Sequence, residues 1–155
     1  MKKGVYIILL ILLVILLTAL LVLNFNRNPE TGERVELIGW GMLQPNASTI
    51  TFNPTTQIFS AGFDNQAGTG IIITSIEASE KYSNTSCATA INGEAINSGV
   101  EIENNTGFKI EGICNAKPRK TGEPYQLEIQ INFTALIGFI NTEYTENGTI
   151  TGKYD

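Results

Sequence analysis

Few side chains in this sequence could carry chemistry, and they are poorly grouped. The chain has no histidine, which removes the commonest general base and the commonest metal ligand. A nucleophilic serine would need another base, yet no Gly-x-Ser-x-Gly, Ser-x-x-Lys or phosphate-cradling glycine loop occurs. Ser79-Glu80-Lys81 reads as part of a polar loop with no apolar pocket around it. Of the fifteen acidic residues only Asp64 and Asp155 are aspartates, so dense calcium loops are excluded. Pairs such as Glu101/Glu103 or Glu128/Glu143 have the residue types of a glycosidase dyad. On a strand, however, residues i and i+2 share one face, ordinarily the hydrated one. The expected protein is not an enzyme and carries no cofactor and no metal.

Two kinds of covalent chemistry remain. Cys87 and Cys114 have no Cys-x-x-Cys or Cys/His partner spacing, which argues against zinc. In an exported domain their simplest reading is one disulfide, stabilising by about 3 kcal/mol through loop entropy. Asn-x-Ser/Thr acceptors occur at Asn46, Asn84, Asn104, Asn132 and Asn147, where composition alone would produce about two. These five are glycosylation candidates, although an Asn- and Thr-rich β-surface also generates such triplets unaided.

Charge narrows the partners. From Asn24 onward the chain has eight Lys/Arg against fifteen Asp/Glu, a net of −7. Phosphate backbones demand the opposite sign, so no nucleic acid is expected. The one basic cluster, Lys117-Pro118-Arg119-Lys120, reads as a solvated loop.

These residues need elements to position them, and the N-terminus supplies the first. Val5–Leu23 is nineteen residues without a charge, sixteen of them Leu, Ile or Val. As a helix it would span about 28 Å, close to a bilayer's hydrocarbon core. Lys2 and Lys3 precede it directly and place the N-terminus in the cytoplasm, leaving the remainder outside. The run exceeds an ordinary secretory signal and lacks an Ala-x-Ala site, so it is expected to remain on the mature chain, with membrane lipid as its first partner. Asn24–Arg34, holding Asn28-Pro29 and Glu30-Thr31-Gly32, reads as a short stalk.

From residue 35 to 155 the pattern is that of short strands. Tyr125–Thr134 alternates most clearly, with Tyr125, Leu127, Ile129, Ile131 and Phe133 expected inward. Other strand-like patches are Val35–Ile38, Ser48–Phe52, Gln57–Phe63, Gly70–Ile76, Val100–Glu103, Gly107–Cys114, Phe139–Tyr144 and Thr149–Tyr154. Turns are expected at Asp64-Asn65, Ala67-Gly68, Asn92-Gly93, Asn97-Ser98-Gly99, Asn105-Thr106-Gly107 and Glu146-Asn147-Gly148. The predicted class is mainly β, an N-terminal transmembrane-type α-helix followed by an antiparallel β-sandwich. Trp40, between Gly39 and Gly41, is expected to plug the core or to act as an exposed anchor.

Lys2-Lys3-Gly4 followed at once by the apolar run resembles the class III signal of archaeal type IV pilins and archaellins. Cys114, Gly122-Glu123-Pro124-Tyr125 and the ending Glu146-Asn147-Gly148-Thr149-Ile150-Thr151-Gly152-Lys153 resemble the C-terminal part of small archaeal proteins with such signals. The resemblance implies that the β-sandwich is immunoglobulin-like, with cleavage between Gly4 and Val5 by a prepilin-type peptidase, self-association through the N-terminal segment and a filament with the β-domain outside. Val5 and Leu9 stand where that family often has a polar residue and a glutamate. This departure keeps a second expectation open, a permanently anchored monomeric β-domain for adhesion or binding.

Overall fold

Alternation of apolar and polar residues builds the domain, and it is most regular in its two longest strands. The computed structural model describes residues 35–155. In β9 (Pro124–Ile137) the side chains of Tyr125, Leu127, Ile129, Ile131 and Phe133 are all buried. Opposite them β10 (Ile140–Lys153) runs antiparallel in unbroken register from Ile140↔Ile137 to Lys153↔Pro124. The other strands are β1 (Glu36–Ile38), β2 (Leu43–Phe52), β3 (Ile58–Asn65), β4 (Ile71–Glu80), β5 (Thr85–Ile91), β6 (Glu94–Ala95), β7 (Val100–Ile102) and β8 (Gly107–Cys114).

All belong to one antiparallel sheet, in the order β1-β10-β9-β4-β5-β8-β3-β2, with β6 on β5 and β7 on β4. β1 and β2 are consecutive in the chain yet stand at opposite ends of that order. Only residues 39–42 join them, so the sheet must curl until its edges meet. The result is a nearly closed barrel with a single core.

This corrects the expected immunoglobulin-like sandwich. Period-two alternation specifies one buried face, but not whether facing strands belong to two sheets or to one sheet curled on itself. Here β4 pairs with both β9 and β5, and that continuity leaves no gap at which two sheets could separate. The described residues are all-β and contain no helix, and none therefore holds a helix long and apolar enough to cross a membrane. The transmembrane-type helix expected over Val5–Leu23, the leader ending at Gly4 and the stalk lie outside the described residues.

Bulges let strands of irregular pattern keep one face inside. In β4, Ile71 and Ile73 point inward, as do Ile76, Ala78 and Glu80; the pairing with β9 shifts between Ile73 and Ser75 and switches the parity. The Thr74 hydroxyl donates to the Asn132 carbonyl at 3.1 Å across this irregularity. In β2 the register shifts between Asn46 and Thr51, so residues 47–50 stand against Ala61 alone.

Aromatic rings fill the core. Phe52, Phe59, Tyr125 and Tyr154 meet at centroid distances of 4.6–6.0 Å, and Phe63 stacks on Phe108 at 5.6 Å. Tyr154 is fully buried, and its hydroxyl donates to Gln57 Oε1 at 3.5 Å. Burial pushes its pKa up to about 12; Glu80 adds to the rise and Arg119 opposes it. The folded state therefore holds this proton more tightly than the unfolded chain, whose tyrosine titrates near 10. The associated stability is fully present below about pH 10 and is lost as pH rises towards about 12, a change of roughly 2–3 kcal/mol. Urea unfolding from about pH 9 to about pH 12 should show this decline. In Tyr154→Phe the decline should flatten; an unchanged slope would assign it elsewhere.

Two turn expectations and one strand require correction. Asp64 and Asn65 end β3, where Asn65 is wholly buried and its Nδ2 donates to the carbonyls of Thr69, Ile102 and Glu103 at 2.9–3.3 Å. Glu146-Asn147-Gly148 lies within β10; the chain instead reverses at Gly138-Phe139, between the paired Ile137 and Ile140. With Gly138 at φ +63° and Phe139 outside the positive-φ region, this suits a hairpin turn with glycine first. β5, reading TSCATAI, was not expected as a strand. Its small side chains give little apolar signal, and only Cys87 and Ile91 are buried.

Candidate functional site

The residues that sequence singled out are scattered over the barrel rather than gathered in one place. Cys87 on β5 and Cys114 on β8 are direct cross-strand partners, and the structure joins them in a disulfide buried against the core. The bond ties two neighbouring strands in the middle of the sheet, where both sulfurs are sheltered from solvent.

The five asparagines differ in accessibility. Asn46 is exposed where β2 bulges outward; its side-chain carbonyl accepts from the Ser48 amide at 3.1 Å and the Ser48 hydroxyl at 2.7 Å. That links acceptor Asn and hydroxyl residue of one triplet in a local turn and leaves the Asn46 Nδ2 towards water. Asn84 is exposed at φ +51° in the β4–β5 turn, and Asn104 is exposed in the turn before β8. Asn147 is exposed on β10 rather than in a turn. Asn132 is half-buried on β9, its Nδ2 donating to the Ser75 hydroxyl at 2.8 Å and its Oδ1 accepting from Thr145 at 2.7 Å. The Nδ2 that a glycan would take is already engaged with Ser75.

The carboxylates do not converge. Glu101 and Glu103 are exposed on and beside β7. Glu128 lies opposite Thr149, six positions along β10 from Glu143, roughly 20 Å at strand rise. Glu128 instead pairs with Lys81 at 3.0 Å on the surface. No group of three or more His, Cys, Asp or Glu residues could hold a metal ion among the described residues.

Two carboxylates that the sequence placed in a polar loop and in a turn lie in strands instead, Glu80 ending β4 and Glu146 lying within β10. Both have structural roles. Glu80 is fully buried and accepts from the backbone amides of Tyr82 at 3.1 Å and Ser83 at 2.7 Å, fixing the β4–β5 turn. Glu146 points inward from β10 and accepts from the amides of Gly41 and, at 2.8 Å, Leu43. The segment joining the two sheet edges is thus held by a carboxylate, and no strand ladder is needed there. Trp40 belongs to the same closure. Its ring packs edge-on to Phe63 at 5.0 Å and lies over Gly148, which supports the core role over the exposed anchor. Glycine at 148 follows from that ring; the Asn-Gly pair signals a turn only where no side chain has to pack on the glycine.

Two surface features remain. An open depression of about 560 Å³ is lined by Ile38, Glu77, Ser79, Glu128, Gln130 and Asn147, a mostly polar set. The β9–β10 hairpin carries the other: Leu136 and Ile137 are half-exposed, Ile140 is 70% exposed and Phe139 is 104% exposed. Sequence read Phe139–Tyr144 as strand, left residues 135–138 unassigned and missed the exposure of both, since alternation cannot show where a ribbon outruns the sheet. The described fold defines a disulfide-linked all-β domain, one antiparallel sheet curled into a nearly closed barrel. Compared with protein-family models, curated proteins and solved structures, the chain matches none.

Proposed function

We propose that the chain is a structural protein of the cell surface, a pilin-like subunit whose β-domain is displayed outside. In this reading the apolar run Val5–Leu23 retains the chain at the membrane. Cleavage by a prepilin-type peptidase between Gly4 and Val5 then frees the run to pack against copies of itself. A segment this apolar is equally content in lipid or against identical segments, so transfer between the two costs little. The observation that carries the reading is the Cys87–Cys114 disulfide. Such bonds persist in oxidising compartments, on the side where Lys2 and Lys3 would leave the domain. The exposed triplets at Asn46, Asn84, Asn104 and Asn147 support the same side.

A second reading, a permanently anchored single copy serving adhesion or binding, is favoured by the exposed apolar hairpin tip. Intact mass of protein sheared from cells separates the two. Filament assembly requires a mature N-terminus at Val5 in polymeric material. Met1 retained on monomers would sink it, as would a Gly4 substitution that left processing and assembly unchanged.

A further inference from the structure

The tip of the β9–β10 hairpin is the least explained part of the described surface. Ile71, the first residue of β4, pairs with Ala135, and β1 reaches β10 only at Thr149–Thr151. Residues 136–141 therefore project beyond the neighbouring strands as a free two-stranded ribbon. Phe139 stands at its apex, fully exposed, beside Ile140 at 70% and Leu136 and Ile137 at about half. Soluble surfaces carry single exposed apolar residues freely, but four contiguous ones on a projection call for a partner.

We infer that this tip is a lipid-contacting element that seats in the surface of an uncharged or zwitterionic bilayer. The shape argues for lipid over a protein groove. Neighbouring strand residues point to opposite faces, so Leu136 lies on the outward face while the paired Ile137 and Ile140 lie on the other. A groove covers one face of a ribbon and leaves the other in water; a fluid apolar medium covers both faces and the apex together. Ile137 and Ile140 pair with each other across the turn, which satisfies the inner part of the ribbon's backbone. Its outer edges are unpaired, which confines it to the boundary between headgroups and acyl chains.

Charge selects the lipid. Residues 129–142 contain no charged side chain, and the first beyond the tip, Glu143, is exposed and acidic. A net-acidic domain is repelled by anionic headgroups, so neutral ones are the match. The tip lies far along β10 from Thr151, which pairs with Glu36 at the start of the domain. The inference stands whether or not copies assemble into a filament.

The test uses full-length protein reconstituted in phosphatidylcholine vesicles, carrying Phe139→Trp in a Trp40→Phe background. Brominated phosphatidylcholine is placed either in the same vesicles or in added protein-free ones. Expected is a blue-shifted emission and roughly twofold quenching in one of the two arrangements, as for a side chain about 5–10 Å into the interface. Added phosphatidylglycerol should weaken the effect. Emission that stays at its water-exposed wavelength and unquenched in both arrangements overturns the inference. So does a lipid-independent blue shift that grows with protein concentration in detergent, which would make a second copy the occupant. A second variant, Phe139→Ser with Ile140→Ser in the native background, leaves Trp40 and the core intact. If it still captured protein-free vesicles as well as the native chain in vesicles where the native chain does so, the tip would not be the contact.

Discussion

Glu146→Ala is expected to destabilise the domain by about 3–5 kcal/mol, a large part of the 5–15 kcal/mol typical of a domain. The carboxylate accepts from two backbone amides, Gly41 and Leu43. Hydrogen bonds to a charged acceptor contribute about 1.5–3 kcal/mol each. Alanine would leave a fully buried Leu43 with its amide unpaired and would free the segment that brings β1 and β2 together. Glu146→Gln keeps one oxygen acceptor and should recover about half of the loss. Denaturant unfolding monitored by circular dichroism measures both. A cost below about 1 kcal/mol for the alanine variant would mean that the closure is held by something other than this clamp.

Gly148→Ala should cost about 2–3 kcal/mol, against the usual trend for this substitution. Gly148 lies within β10 and is not among the positive-φ glycines. Alanine at such a position normally gains about 0.5–1 kcal/mol. Here an added Cβ would meet Trp40 ring atoms at 2.2–2.5 Å, and Phe63 packs edge-on against the ring on one side. Trp40 must therefore leave its site. As the only tryptophan, it reports the event directly through a red-shifted emission. In a Trp40→Ala background the same glycine substitution should cost almost nothing, since the clash partner is gone. Additive costs in that double variant would sink the explanation.

The same closure shows what could and could not be read locally. The inward residues of β9 were legible because alternation is a property of neighbouring positions, and Asn92-Gly93 was legible because both residues must adopt positive φ, at +50° and +83°. Asn147-Gly148 has the same chemistry but lies in a strand, because Trp40, more than a hundred positions earlier, occupies the space beside the glycine. β5 was illegible for the opposite reason: its small polar residues gain their place from the pairing of Cys87 with Cys114 and of Ala88–Ile91 with β8.

By itself, then, the sequence determined an acidic β-domain without histidine, one pair of cysteines able to bridge, and an apolar N-terminal run long enough for a bilayer. These follow from composition and from short-range periodicity, which need no knowledge of distant residues. The tertiary structure alone decided that the strands form one curled sheet rather than two stacked ones. It also decided that Glu146 serves closure, and that Leu136–Ile140 stands free of the core. Those outcomes depend on which strand edges meet and which strand outruns its neighbours, and hydrogen bonds between residues far apart in the chain set both.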